Sequence, residues 1–387
     1  MKTSKPLRVS IVGCGTVTQW HIVSLLKNKN VELVAICDRN EDLARRAAIK
    51  FNIDRYYSDF SKMLLNEKVD LVDICTPPQT HLSLSTQVIE AGHHVLIEKP
   101  MALSVKEADE MAMAAKKNRV ELSVVHNELF LPVVMRARSM VSEKVIGDLV
   151  GISITDSIPR DNAMLLNREH WCHKLPGGIF GEMLPHPLYL ATAFLGRLEP
   201  IAVYNRKLSS YDWLVADELR VILEGENGIA TITESVNWPK DIMVLDIFGT
   251  KMSLHVDIWG AVMTEYAISS RGRFSRGLEN LGLGFQRLGG TASMTFSVIS
   301  GRFYGGHNTF IKKFVNSLQS GTELPVTLEE AREVVRLYEA ITTQILGDGK
   351  TPVIFQAIFI SEHKFKAFRH GKYPFSLSDL QKLPSFA

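Results

Sequence analysis

Three short stretches of this chain carry side chains whose types and spacing could do chemistry. "IEKPM", Ile97 to Met101, sets a carboxylate, Glu98, beside an amine, Lys99, just before a proline. "LPGGIFGEMLPHPLYL", Leu175 to Leu190, brings Glu182 and His186 within four residues of each other, behind three glycines. "VSIVGCGTVTQWH", Val9 to His21, is an apolar run that breaks into a glycine turn. An amine near an alcohol lowers its effective pKa, and a neutral imidazole can take its proton. A turn with two glycines lets the backbone approach a pyrophosphate.

Each stretch also has a plainer reading. Gly13 and Gly15 could belong to an ordinary strand–loop–helix corner, and Lys99 could be a solvated charge at a strand end. Setting favours the functional readings. The glycine turn follows a strand, opens a helix, and is followed by Asp38 at the end of a second strand-like run. The first glycine permits the turn, the second admits a pyrophosphate, and the third position serves helix–strand packing, where Thr18 can stand in. Thr16 and Val17 then lead into a helix start whose free N–H groups suit phosphate. Asp38 would accept from a ribose 2′-hydroxyl and repel a 2′-phosphate, which argues for NAD. Arg39 beside it keeps NADP open.

The elements that must position these groups alternate through the first third of the chain. "LRVSIV", "VELVAICD", "VDLVDICTPP", "HHVLIEKP" and "VELSVVHN" are apolar strand-like runs with helical segments such as "EDLARRAAIKF" between them. That pattern predicts a parallel sheet covered on both faces, with its ligand crevice beyond the carboxyl ends of the strands. Lys99, and Thr76, Pro77 and His81 of "TPPQTH", fall at such ends. From about Gly147, "VGISITDS", "IAVYNRK", "ELRVILEG", "GIATITESV" and "IMVLDIFG" follow one another without helices, which predicts an antiparallel sheet. Thr327 ahead of Glu330 marks a capping box at the start of "TLEEAREVVRLYEAI".

His186 lies between Pro185 and Pro187. Prolines fit only the first turn of a helix, so a helix is expected to begin there. The dipole at its N-terminal end disfavours imidazolium, which suits a general base. A capping or core histidine is the bland alternative. His170, Cys172 and His173 lie close together, but no second ligand pair has a zinc-like spacing, so no metal is expected. The stretch from Arg271 to Gly306 is rich in glycine and carries Arg271, Arg273, Arg276, Arg287 and Arg302 against Glu279. It reads as a long solvated loop, or more sharply as a lid or anion-binding insertion.

Composition narrows the classes. The 387 residues are 45% hydrophobic and 22% charged with a formal net charge of +2, so neither nucleic acid nor an acidic partner is indicated. Residues Met1 to Arg8 are polar and no apolar run is long enough to span a bilayer, so a cytoplasmic protein with no membrane partner is expected. Cys14, Cys37, Cys75 and Cys172 include no CxxC pair and read as reduced core residues.

Together, Gly13-Cys14-Gly15, Asp38, Thr76-Pro77-Pro78 with His81, Glu98-Lys99-Pro100 and the Gly-Gly stretch leading to His186 resemble the glucose–fructose oxidoreductase/inositol dehydrogenase/MocA family. The resemblance covers roughly residues 5 to 345. It implies an α/β fold class: an N-terminal Rossmann dinucleotide-binding domain, then an α+β domain with an open-faced, mainly antiparallel sheet. The expected domains are residues 1–127, 128–346 for substrate binding and oligomerisation, and 347–387 as a C-terminal extension. It further implies an NAD(P)-dependent dehydrogenase acting on a secondary alcohol of a sugar, cyclitol or nucleotide sugar, assembled as a homodimer or homotetramer. A redox-assisted glycosidase and a non-catalytic NAD(P)-sensing regulator are the rivals.

Carried onto this chain, the resemblance makes Lys99, His186 and Glu182 catalytic, with Glu182 orienting His186 or holding a neighbouring hydroxyl. Lys99, Trp171, Glu182 and His186 are expected to touch substrate. Gly13, Gly15, Thr16, Val17, Asp38, Arg39, Thr76, Pro77, His81, Glu98, Lys99 and Asn127 are expected to hold the cofactor. The Lys99–Pro100 peptide is expected to be cis. Two departures stand out: the usual Asp-x-x-x-His is Glu182-x-x-x-His186 here, and the aspartate often found three residues after the histidine is Tyr189.

Overall fold

A computed structural model of the chain describes residues 5–267, 272–300, 305–345 and 353–354. Six parallel strands form the first sheet: β1 (Leu7–Val12), β2 (Val31–Cys37), β3 (Tyr56–Tyr57), β4 (Leu71–Ile74), β5 (His94–Ile97) and β6 (Leu122–Val124). Their order is β3-β2-β1-β4-β5-β6, with the reversal of direction between β1 and β4. Helices cover both faces, so Val9, Ile11, Leu71, Val72, Ile74, Val95, Leu96 and Ile97 are fully buried. Such strands read as unbroken apolar runs because neither face meets water. One acid interrupts these runs: Asp73, in β4, is also fully buried.

The second sheet contains β7 (Leu149–Ser157), β8 (Leu198–Arg206), β9 (Glu218–Gly225), β10 (Gly228–Ser235), β11 (Ile242–Gly249), β12 (Met252–Asp257) and β13 (Val262–Ala267). These seven run in the order β13-β12-β11-β7-β10-β9-β8. All their pairings are antiparallel except β7 with β10, which lie parallel. One face is covered by helices, including Pro185–Leu195, and carries Ile152, Ile154, Ala230, Ile232, Leu245 and Ile247 in the core. The opposite face leaves Tyr204, Ile222, Ile229 and Phe248 exposed.

Two helices tie the sheets together. Helix Gly306–Ser320 packs on helix Thr18–Leu26, which follows the glycine turn. Helix Leu328–Ile345 packs on helix Val105–Asn118, on β8 and on helix Pro185–Leu195. It starts with the expected box, the Glu330 N–H donating to Thr327 Oγ1 and the Thr327 N–H to Glu330 Oε2.

The stretch expected as a solvated loop is in its described part a helix, Arg273–Ile299. Leu278, Leu281, Phe285 and Leu288 recur at helical spacing but stand exposed, and the helix packs instead on β13, where Gln286 Oε1 accepts the Glu265 N–H at 2.9 Å. Residues 268–271 and 301–304, and the extension from 347 apart from the short strand Val353–Ile354, lie outside the described residues.

Candidate active site

The glycine turn connects β1 to helix Thr18–Leu26. Gly13 has φ +98°, and a Cβ there would stand 2.6 Å from the Cys75 carbonyl oxygen, so the position admits only glycine. Gly15 faces open space, and the helix start behind it has no side-chain cap. Its N–H groups are therefore available to an anion. Thr18 answers for the missing third glycine: its side chain is buried and its hydroxyl donates to the Gly13 carbonyl at 3.0 Å. Asp38 closes the far side of the turn. Its Oδ2 accepts from the Cys14 N–H and its Oδ1 from the Asn40 N–H, both at 2.8 Å. Thr16 and Arg39 are exposed nearby in sequence, and Val17 is half-buried. Uncapped helix start, clear glycine and fixed carboxylate together fit a dinucleotide.

At the carboxyl ends of β4 and β5 the sheet holds a buried charge cluster that sequence reasoning missed. His21 Nδ1 lies 2.8 Å from Asp73 Oδ2, and its Nε2 lies 2.8 Å from Glu98 Oε1. Both ring nitrogens face carboxylates, so the ring carries two protons. Burial pulls its pKa down, but Asp73 above all outweighs burial and holds it well above the usual histidine value. Burial pushes Glu98 up, and hydrogen bonds from His21 and His307 reverse this and hold it well below the carboxylate range. Glu98 Oε2 in turn accepts the Lys99 N–H at 3.0 Å. Lys99–Pro100 is cis, as expected. The signal for this cluster was legible: an aspartate inside the otherwise apolar "LVDI" needs a buried partner.

Glu98 therefore anchors the strand end, and its carboxylate is engaged by protein groups. His81 behaves similarly. It is buried, with Nδ1 2.9 Å from the Pro100 carbonyl and Nε2 2.9 Å from the Thr76 carbonyl. Burial lowers its pKa, so the neutral ring donates to one carbonyl at a time. His81 pins the Thr76 and Pro100 loops together. The Thr76 hydroxyl pairs with that of Thr80 at 2.7 Å, and Pro77 precedes the turn Pro78–Thr80.

Lys99 reaches across to the second half of the chain. Its Nζ donates to Glu182 Oε1 at 2.6 Å and to the Glu182 carbonyl at 3.0 Å. Burial lowers the Lys99 pKa, but the charges of Glu182 and Glu98 outweigh it and hold the amine above its ordinary value. Lys99 is a cation here. Glu182 sits on the short helix Ile179–Met183, and His186 on the next one, Pro185–Leu195. The helix does begin at the prolines. Leu184 between the two helices keeps helical dihedrals, φ -54° and ψ -33°, and the carboxylate of Glu182 is turned to Lys99.

The groups that orient His186 are others. Its Nδ1 lies 2.8 Å from the Tyr189 hydroxyl and 3.0 Å from Glu128 Oε1. Tyr189 donates onward to Asn127 Oδ1 at 3.3 Å. Glu128 is fully buried in the turn Asn127–Phe130. The Tyr189 hydroxyl, donating onward, accepts at Nδ1, which selects the tautomer with its proton there and leaves Nε2 free to take another, while the Glu128 carboxylate stands 3.0 Å off as a charge without a hydrogen bond. The helix dipole is thus one of two fields at the ring, and the other is a carboxylate. His126, stacked on Tyr189 at 4.5 Å, is pushed down to about 3 by burial and then by His186, so it stays neutral.

Residues 7–126 match the oxidoreductase family with an NAD-binding Rossmann fold, GFO_IDH_MocA, and residues 134–255 match the GFO/IDH/MocA C-terminal domain. The chain belongs to the Gfo/Idh/MocA oxidoreductase family. An oxidoreductase of Formosa agariphila is 29% identical over 196 residues, 49% of this chain and 61% of that protein. The D-glucoside 3-dehydrogenase of Escherichia coli is 34% identical over 148 residues, 38% of this chain and 42% of that protein. The matched segments thus span less than two thirds of these relatives. The WlbA dehydrogenase from Bordetella pertussis, solved with NADH and UDP-GlcNAcA, shares the fold. Its TM-score is 0.74 at 20% identity over 91% of this chain and 98% of that one.

Within this Gfo/Idh/MocA chain, the turn Trp171–Lys174 packs on the helix Ile179–Met183 that carries Glu182. Trp171 is half-buried at the start of the turn Trp171–Lys174, its ring 5.3 Å from that of His170. His170 accepts from the Cys172 N–H, and His173 Nε2 lies 3.2 Å from the Met164 carbonyl. Both make local contacts to backbone. The four cysteines are free, and burial pushes Cys172 up to about 12.

Proposed function

We propose that this protein is an NAD-dependent dehydrogenase that interconverts a secondary alcohol and a ketone on a sugar, cyclitol or nucleotide sugar. The supporting observation is the convergence of a cationic lysine and an oriented histidine at the carboxyl end of β5. Lys99 is held by Glu182, His186 is held by Glu128 and Tyr189, and the Glu128 charge acts on both Lys99 and His186. Gly13, Gly15, Thr16, Val17, Asp38 and Arg39 would hold the adenosine diphosphate end. Thr76, Pro77, Lys99 and Asn127 would border the nicotinamide end. NAD bound there supplies the hydride acceptor or donor.

In the oxidation direction the Lys99 ammonium donates to the substrate hydroxyl and stabilises the alkoxide as it develops. His186 Nε2 accepts the hydroxyl proton while its Nδ1–H stays bonded to Tyr189 and the nearby Glu128 charge favours the imidazolium that forms. Glu182 keeps Lys99 charged and fixes its direction. In reduction the same groups return the proton. Lys99 and His186 would have no use in a cofactor sensor, and the test separates the readings. A panel of sugars, cyclitols and nucleotide sugars is screened by cofactor absorbance, with wild type and His186→Asn. Net NAD reduction that falls about 10²–10⁴-fold in the variant supports the dehydrogenase. Undiminished turnover in His186→Asn removes the base. Sugar release without net reduction favours the glycosidase.

We further propose a cytoplasmic homodimer or homotetramer. Tyr204, Ile222, Ile229 and Phe248 on the uncovered sheet face support the assembly.

A further inference from the structure

β7 and β10 run side by side in parallel, in a register that pairs Asp156 with Glu234. On the face packed by helix Pro185–Leu195, β7 presents Ile152 and Ile154 and β10 presents Ala230 and Ile232, all buried. The next position of that alternation is an acid on both strands. Glu234 is fully buried and Asp156 is 6% exposed. Both oxygens of Glu234 lack a hydrogen-bond partner, and the two acids sit where the charge of Lys99 acts on both. Glu128 and Asp241 add to the negative side at Asp156. Lys99 is already paired with Glu182, and His186 already faces Glu128.

Buried polar groups without partners are rare in native proteins and mark a place a ligand completes. We propose that Asp156 and Glu234, with Glu128 behind them, form the subsite for an ammonium group, so that the substrate is an amino sugar or aminocyclitol. This rests on the dehydrogenase reading for the reacting alcohol, but the subsite itself is a binding claim. A divalent ion fits the wall less well. Among the described residues, three ligand atoms close enough for one ion occur only around His21. Burial above all raises both acids well above their ordinary pKa, helped at Asp156 by the charges of Glu128 and Asp241 and at Glu234 by that of Asp156. An ammonium arriving between them favours their ionised form, so any proton held there is released as a charge-assisted hydrogen bond forms.

The experiment titrates NAD-saturated protein calorimetrically with D-glucose and with its 2-, 3-, 4- and 6-amino-deoxy counterparts, in two buffers of different ionisation heat. At least one amino sugar should bind about tenfold or more tighter than glucose, with net proton release. Glu234→Gln and, separately, Asp156→Asn should remove both the preference and the proton release, with retained NAD binding showing that the variants fold. Equal or weaker binding of every amino sugar, or a preference that survives both substitutions, overturns the proposal. Saturable binding of magnesium chloride that disappears in Glu234→Gln overturns it in favour of a metal ion. Cofactor absorbance in the same samples separates the two readings. An amino preference without NAD reduction counts against the dehydrogenase alone, and NAD reduction with no amino preference counts against the subsite alone.

Discussion

Replacing His21 with asparagine removes the one cation between two buried carboxylates. In the native fold His21 makes a 2.8 Å contact to each, and the side chains of Asp73 and Glu98 are 0% and 8% exposed. Taking one partner from a buried charge cluster costs about 3–5 kcal/mol, because the remaining charges stay buried and unpaired. The deficit should depend on pH. The pKa of His21 is raised in the fold. Its contribution is fully present below the unfolded value of about 6.5 and is lost as pH rises through the folded value. The pKa of Glu98 is lowered in the fold. Its contribution is present above the unfolded value of about 4.3 and lost as pH falls towards the folded one. In the variant, burial acts on Glu98 with that partner gone, so its penalty grows above about pH 4.3. The deficit should therefore rise from about pH 4.3 to about 6.5, and above that the fading His21 contribution offsets further growth. Urea unfolding followed by far-ultraviolet circular dichroism at about pH 5, 6.5 and 8 measures it. A deficit below about 1 kcal/mol, or one that is flat across those values, would refute the charge cluster. A further variant, His21→Gln with Asp73→Asn and Glu98→Gln, should recover most of the loss, whereas a loss due to packing would persist.

Gly13→Ala should abolish measurable NAD binding and destabilise the protein by more than 1 kcal/mol or so, since its Cβ would overlap the Cys75 carbonyl at a φ of +98°. Retained affinity in calorimetry would show that the turn yields. NAD(H) should bind about tenfold or more tightly than NADP(H), because Asp38 is fixed by two backbone N–H groups where a 2′-phosphate would lie. Asp38→Ala should narrow that gap, and tighter NADP(H) binding by the wild type would show that Arg39 dominates.

Much of the framework was written locally. β1, β2, β4 and β5 are short apolar runs between turn residues, and a strand buried on both faces needs no more than that to be recognised. The glycine turn, Asp38, the helix start at Pro185 and the capping box at Thr327 are likewise set by side chains within a few residues of each other. The partners of the site residues were not legible, because each lies on another element. Glu182 pairs with Lys99, 83 positions away in sequence. Glu128 meets His186, and His21 meets both Asp73 and Glu98, only after helices and strands have packed. The helix Arg273–Ile299 shows the same limit from the other side, for local glycines argued for a loop while the chain there forms a helix packed on β13. Local sequence decides which backbone conformations are cheap. Which charges face one another in a dry interior is decided by burial, since an unpaired charge there costs far more than any local preference.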